Sequence, residues 1–448
     1  MSGNPDTSRE TDAVGALPAV MLVALLWVTP WPLGSRLPWA DTLAATFALA
    51  TGGFWFGHRL LRGAWPRWPL LAAPMSAFLG LGCVQLLAET TVYPFGTTIS
   101  LRSYAAYAVT FLIAHYAGRR IRERDLLTAT VIAVGLLVAV FAIGQHLTWN
   151  GKLFWFYDPP MGGTSPFGPF NNRNYFAGYM IATMGPALGL MLSPSTDRWR
   201  MPSLLLFTVG AASVVMSLSR GGLLALAVAC VFTVVLAAAL QRQGAASGLG
   251  RRILVPAGAV VLAVVLAAAV VSWSGQAGPV IQRFETILNF GAERSVGGRL
   301  EIWGDTLDMI ADRPVLGTGL NTFAWGHLPY RSSSTGIPQH AHNEYLEMVA
   351  EAGLVGGAIC VWFLWLLGTT VLRELRRAPP GFETGLRLGA VASWVGIMVY
   401  ALTDFPTVIP ATNYVLATLA GLACVPAGQT VSSRSISSTA GASSASSI

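Results

Sequence analysis

Charge is what this chain most conspicuously lacks. Of its 448 residues only 11% are charged and 53% are hydrophobic, where a soluble domain carries about 25% charged residues. That shortage excludes a water-soluble globular fold, because most of the length has no means of facing water. Cysteine is nearly absent too. Cys83, Cys230, Cys360 and Cys424 each lie within an apolar stretch, with no close pair, so they read as small hydrophobes rather than as a metal site or a disulfide framework. No basic run interleaves with aromatics, so the sequence pI of 9.5 does not require a nucleic-acid partner. No sequence repeat suggests the inverted halves of a transporter. Arg9 is offset by Asp6, Glu10 and Asp12, and no small-residue cleavage site stands out. The first apolar run is therefore expected to stay as an anchor rather than act as a signal peptide.

What is present is a succession of apolar runs near the roughly 20 residues that a helix needs to cross a bilayer. They cover 16–34, 39–57, 69–88, 103–118, 126–146, 174–192, 202–219, 221–240, 253–273, 346–372, 386–404 and 407–425. The expectation is an all-α membrane protein with about twelve transmembrane helices. Cytoplasmic loops are enriched in Lys and Arg. With the N-terminus inside, the inner loops hold Arg59, Arg62 and Arg67, Arg119, Arg120, Arg122 and Arg124, Arg198 and Arg200, Arg242, Arg251 and Arg252, and Arg373, Arg376, Arg377 and Arg387. With Arg9 and Arg434 these are the majority of the 28 basic residues. The organisation expected is a cytoplasmic tail over 1–15, nine spans over 16–273, a large periplasmic loop with amphipathic helices over 274–345, three spans over 346–426, and a Ser, Ala and Gly tail over 427–448 that cannot bury a core.

Chemistry is expected on the outer face. The long loop carries Arg283, Arg294 and Arg299 before a segment, Leu300 to Asp312, whose period is helical. Glu301, Asp305, Asp308 and Asp312 line one side of it, Trp303, Leu307 and Ile310 the other, and the acidic stripe reads as a solvated face in preference to a metal site. Pro314, Gly317 and Gly319 then act as stop and turn signals, and GTG alone is too short to claim phosphate.

Next stands QHAHNEYLEMVAEAGLVGG, Gln339 to Gly357, where imidazoles, carboxylates and a membrane boundary meet. His340 and His342 can chelate zinc, with His327 as a third ligand, but the spacing matches no usual zinc signature and no cysteine joins them. A neutral imidazole serves better as a general base, oriented by a neighbour such as Asn343 or Glu344; the bland alternative is a solvated helix start. Gly353 and Gly357, four apart, would let a neighbouring helix approach closely. Arg220, in MSLSRGGLLAL, is tightly bracketed by apolar sequence, a costly position that ordinarily implies a partner, although a snorkelling arginine fits as well.

Four segments resemble one family. SRGG at Ser219 to Gly222, GGRLEIW at Gly297 to Trp303, the His342-Asn343 pair followed by Gly353, Gly356 and Gly357, and GPFNNRNYFAGYM at Gly168 to Met180 are similar to the signature of the bacterial O-antigen ligase and polymerase superfamily. The family's members include ligases that move a glycan from a polyprenyl diphosphate to the lipid A core, polymerases that extend such glycans, and relatives that glycosylate proteins. The segment WPLGSRLPWA also resembles exopolysaccharide-polymerising relatives.

The resemblance implies a glycosyltransferase of the bacterial inner membrane, working at the periplasmic face on a polyprenyl diphosphate-linked glycan. Its other partners would be a lipid A-core or glycan acceptor and membrane lipids, with no nucleotide sugar, cofactor, catalytic metal or nucleic acid. By the same resemblance Arg220 and Arg299 match the diphosphate-binding arginines and His342 the catalytic base, with His340 the other candidate. Arg173, Arg283, Asn343 and Glu344 are further candidates for substrate contact, and Asp404 for balancing an arginine or holding the imidazole. Tyr345, Trp325 and Phe323 are candidates for stacking on sugars or for the interfacial belt. Ligase and polymerase both stay open. A transporter or flippase, the alternative from another class, would place ionisable groups at mid-membrane, and these spans are nearly free of them.

Overall fold

The computed structural model describes residues 5–158, 165–194, 197–241, 253–262, 265, 294–332 and 337–428. All regular elements among them are helical, apart from two isolated bridges that tie short loops. Twelve helices coincide with the apolar runs: α1 (Pro5–Val28), α2 (Pro38–Leu61), α3 (Ala72–Leu87), α4 (Pro94–Ala117), α5 (Ile121–Leu147), α6 (Arg173–Leu192), α7 (Asp197–Ser217), α8 (Arg220–Gln241), α9 (Ile253–Leu262), α11 (Glu344–Arg377), α12 (Phe382–Tyr400) and α13 (Pro410–Ala423). Between the ninth and tenth of these lies an amphipathic helix, α10 (Arg294–Asp312). Five of them, α5, α6, α7, α8 and α11, are long and apolar enough to cross a membrane. The α4 run was expected to open at residue 103 but the helix begins at Pro94. A proline at the first helical position starts it early, and its polar third turn is satisfied when Arg102 pairs with Asp41 of α2 at 2.5 Å.

The bundle is built around α6, whose residues from Tyr175 to Leu192 are all buried. It packs against α12, α7, α8 and α5. Against α12 the approach is backbone to backbone: a Cβ on Gly185 would lie 2.0 Å from Ser393 Oγ, and one on Gly389 2.5 Å from the Pro186 Cα. Small residues at such a crossing let two helices gain close dispersion contact where no water-driven force holds them together. Outward the pattern inverts relative to a soluble protein. Leu43, Val231 and Trp365 are more than 60% exposed, which suits contact with hydrocarbon rather than water.

The amphipathic helix differs from its expected orientation. Its inward face is Ile302, Asp305, Thr306, Met309 and Ile310, packed near Phe323, Tyr330, Ala341 and Ala350, while Leu307 points outward. Only part of the acidic stripe is solvated. Asp305 is buried, accepts from Ser332 N at 3.1 Å and faces His327 at 3.5 Å; Asp312 accepts from the Tyr330 hydroxyl at 2.8 Å. The period had assigned all four acids to water because it could not see the loop that returns over this helix.

Gly353 also plays a different part from the one its spacing implied. It has φ +65°, so α11 breaks there into two helical pieces, and a Cβ would lie 2.1 Å from Val315 O. The loop from Pro314 to Gly319 fills the break. Leu354 N donates to Pro314 O at 2.7 Å, while Thr318 N and Gly319 N donate to Ala350 O and Glu351 O at 3.1 and 2.9 Å. Gln85 of α3 donates to both Leu316 O and Glu351 O. The backbone groups freed by the break are thereby satisfied, as burial demands.

Candidate active site

The short piece of α11 before Gly353 aims its N-terminus at one end of the bundle. The starts of α6, α8 and α13 and the ends of α7 and α12 lie at that same end, and the site is assembled from their termini. Asn343 caps α11, its side chain accepting from Tyr345 N at 3.1 Å and Leu346 N at 3.2 Å. This is the usual work of an N-cap asparagine, and it commits the Asn343 carbonyl oxygen to the helix rather than to the neighbouring imidazole. His342, the residue before it, has φ +54°. A non-glycine residue in that region costs about 1–2 kcal/mol, and the surroundings hold it there. On one side of it, Ala341 N donates to Glu347 Oε2 at 2.8 Å and Ala341 O accepts from Trp303 Nε1 at 2.9 Å. On the other, Glu344 N donates to Ala401 O at 2.9 Å.

The two histidines are treated differently. His340 Nδ1 stands 2.7 Å from Glu347 Oε1 and its Nε2 3.3 Å from an Arg36 guanidinium nitrogen. A carboxylate only accepts and a guanidinium only donates, so this is the neutral tautomer with its proton on Nδ1, and both ring nitrogens are occupied. The ring also stacks on Phe405 at 4.3 Å. His342 packs on the same Phe405 at 5.0 Å, but its Nδ1 is buried without a hydrogen-bond partner among the described residues and faces Asp404 Oδ1 at 3.9 Å. Its side chain is 36% exposed, so the accessible edge is the one carrying Nε2. Burial, then the charge of Arg299, push its pKa down to about 4. It is a neutral imidazole at pH 7.

Asp404, in the turn after α12, links this histidine to the arginine-bearing turn of α8. Its Oδ2 accepts from Asn174 Nδ2 at 2.5 Å and its Oδ1 from Phe405 N at 3.0 Å. The Tyr400 hydroxyl donates to Asn174 O at 3.0 Å and so accepts from Ser219 Oγ at 2.8 Å. Ser219 immediately precedes Arg220, the first residue of α8, and Gly221 packs on Tyr400 and Thr403. Leu218 at φ +54° reverses the chain between α7 and α8. Arg299 lies close enough for its charge to act on His342, Asp404 and Tyr400, and that of Arg173, the first residue of α6, acts on Tyr400.

Of the residues singled out in the sequence, His342, Arg299, Arg173 and Asp404 come together, and the SRGG turn bearing Arg220 packs against the same network. Glu344 instead binds the α12–α13 loop, accepting from Thr407 N at 3.2 Å and from its hydroxyl. Arg283 lies outside the described residues. His327 faces Asp305 and forms no metal-holding group with the other histidines among the described residues. It is buried beside Asp305 and Phe323, and burial pushes its pKa down. Phe323 is buried, which removes it as a sugar platform, whereas Trp325 and Tyr345 remain exposed. Arg36, Asn174, Tyr400 and Phe405 were missed. Arg36, held over Tyr175 at 4.7 Å, carried the same signal as Arg220, an arginine bracketed by apolar sequence. Asn174 lay inside the family-like segment Gly168 to Met180 without being singled out, and Tyr400 and Phe405 carry no signal outside the fold.

No curated protein matches the chain. Residues 204–361 match the family model described as O-antigen ligase, a segment that runs from α7 through the SRGG turn, Arg299 and the His340–Asn343 loop into α11. By that match this segment of the chain is similar to the O-antigen ligases.

Proposed function

We propose that the protein transfers a glycan from a polyprenyl diphosphate carrier to an acceptor hydroxyl, as an O-antigen ligase acting on a lipid A-core acceptor at the periplasmic face of the inner membrane. The observation that carries this reading is the pairing of His342 with Asp404: one imidazole nitrogen is backed by a buried carboxylate, the other edge is open, and Arg299 stands beside them. In this reading the acceptor hydroxyl gives its proton to His342 Nε2 as its oxygen forms a bond to the anomeric carbon. The bond from that carbon to the phosphate oxygen breaks, and the diphosphate leaves with the electron pair. Asp404 takes up a hydrogen bond from Nδ1 as charge develops on the ring. A base so placed contributes about 10² to 10⁴ in rate. Arg299 and Arg220 stabilise the departing diphosphate, for which planar guanidinium forks are suited. A single displacement inverts the anomeric centre. Arg173 and, from its sequence position, Arg283 are assigned to further phosphate contact, and His340 to positioning, because both its nitrogens are taken.

A reconstituted assay with a lipid-linked glycan donor and a lipid A-core acceptor tests this. Expected is a glycosylated lipid A-core with inverted linkage, absent with His342→Ala although the variant inserts and melts normally. Full activity in that variant would remove His342 from the mechanism. Elongation of the carrier-linked glycan, with the lipid A-core untouched, would instead assign the protein to the polymerases of the same superfamily.

A further inference from the structure

At the opposite end of the bundle, α2 and α4 finish side by side and bring two guanidinium groups to one ring. Arg59 Cζ lies 4.9 Å from the centroid of Tyr116 and 5.7 Å from that of Trp55, and Arg119 Cζ lies 4.6 Å from the same Tyr116. The two charges are thus no more than about 10 Å apart, near the Debye length of about 8 Å at physiological salt. Neither meets a counter-charge among the described residues, although Arg119 Nη2 donates to His115 Nε2 at 3.2 Å. Among the described residues no carboxylate forms an ion pair with Arg59, Arg62, Arg67, Arg119 or Arg122, whereas Arg120 is taken by Glu123 at 2.9 Å. The Nε–H groups of Arg59 and Arg119 are both buried with no acceptor among the described residues. Two guanidinium groups that share one ring and meet no carboxylate among the described residues mark a place for an anion, which their Nη groups can reach.

The surroundings say which anion. The Tyr116 hydroxyl donates to Arg67 O at 2.6 Å, which ties the α2–α3 loop over the pair of arginines. That loop and the end of α2 expose Leu61 at 91%, Trp65 at 74%, Leu70 at 62% and Trp68 at 56%. A soluble anion needs no such apolar rim, whereas a lipid brings acyl chains to cover it, and tryptophans suit the headgroup level. We infer that Arg59 and Arg119 seat the phosphate of an anionic phospholipid, with Trp65 and Trp68 against its glycerol and upper chains. The site is independent of glycan transfer and stands or falls without it.

The test is native mass spectrometry of the full chain released from bilayers of mixed phosphatidylglycerol and phosphatidylcholine. Wild type is expected to retain phosphatidylglycerol preferentially. Arg59→Gln and Arg119→Gln should each weaken that retention roughly tenfold, the loss of one charge-assisted hydrogen bond to the phosphate. Arg122→Gln, exposed on the same end, should change it little. Equal retention of the two lipids by wild type, or undiminished selectivity in both variants, would overturn the proposal. So would displacement of the lipid by excess inorganic phosphate, which would make it a soluble-anion site. If a variant does not fold, a photoactivatable phosphatidylglycerol on wild type decides: labelling of the segments around residues 59–68 and 115–119 supports the site, and labelling confined elsewhere refutes it.

Discussion

At one end of the bundle Arg124 lies between Glu383 and Asp125, both at 3.2 Å; Glu383 also holds Arg387 at 3.2 Å, and Asp125 also holds Arg198. Arg387 reaches Val425 O at 2.7 Å as well. At the other end Asp404 stands 3.9 Å from His342 without bonding to it, its oxygens engaged by Asn174 and a backbone N–H. One cluster closes its ionic pairs on itself. The other uses amides, hydroxyls and backbone groups to keep an acid and a base facing each other. Buried pairs that satisfy one another hold helices in register, while groups held just short of pairing keep a proton-accepting nitrogen available.

Substitutions at the two ends should therefore fail in different ways. The largest effect on rate is expected for His342→Ala, a loss of about 10² to 10⁴ in kcat, with the melting temperature of the purified protein unchanged. An equal loss of stability would erase the contrast. Glu383→Ala at the closed end should do the reverse. Taking from buried Arg387 its ion-pair partner, while Arg124 keeps Asp125, costs roughly 3–5 kcal/mol, read as a lowered melting temperature, while the folded fraction keeps its kcat.

Arg299→Gln sharpens the open end further. Because that cation disfavours the imidazolium, its removal raises the His342 pKa. In wild type kcat/KM should stay flat through neutral pH and fall as pH drops through about 4, and in the variant this acid limb should move upward alongside a reduced rate. An unmoved limb would place Arg299 away from the base. The smallest effect is expected for Glu347→Gln. It retains an acceptor for Ala341 N–H but replaces a charge-assisted bond to His340 with a neutral one, worth about 1 kcal/mol, or roughly fivefold. That loss should fall on kcat with KM unchanged, as measured by steady-state transfer kinetics.

Much of the framework was legible in the sequence. The apolar runs coincide with helices because a chain with so little charge has few alternatives to internal hydrogen bonding in an apolar medium. The turn at Ser219–Gly222 and the start of α11 at His342-Asn343 were marked by residues whose types carry chemistry or caps. Less visible was anything that depended on a returning loop. Asp305 sits at an amphipathic period that water would satisfy, yet the loop carrying His327 and Ser332 buries it. Gly353 has the spacing of a packing glycine, yet Pro314–Gly319 enters α11 there.

By itself, then, the sequence determined an all-helical membrane chain, the end of each helix at which reactive residues fall, and the candidates His340, His342, Arg220 and Arg299. Local composition and period suffice for the helices, because they act on neighbours in the chain, while the candidates came from residue types and from the resemblance of their motifs to the family. Only the tertiary structure distinguished His340 from His342. The partners that decide it, Arg36, Glu347, Asp404 and Phe405, come from three separate parts of the chain. A ring nitrogen is occupied or open according to what packing brings to it.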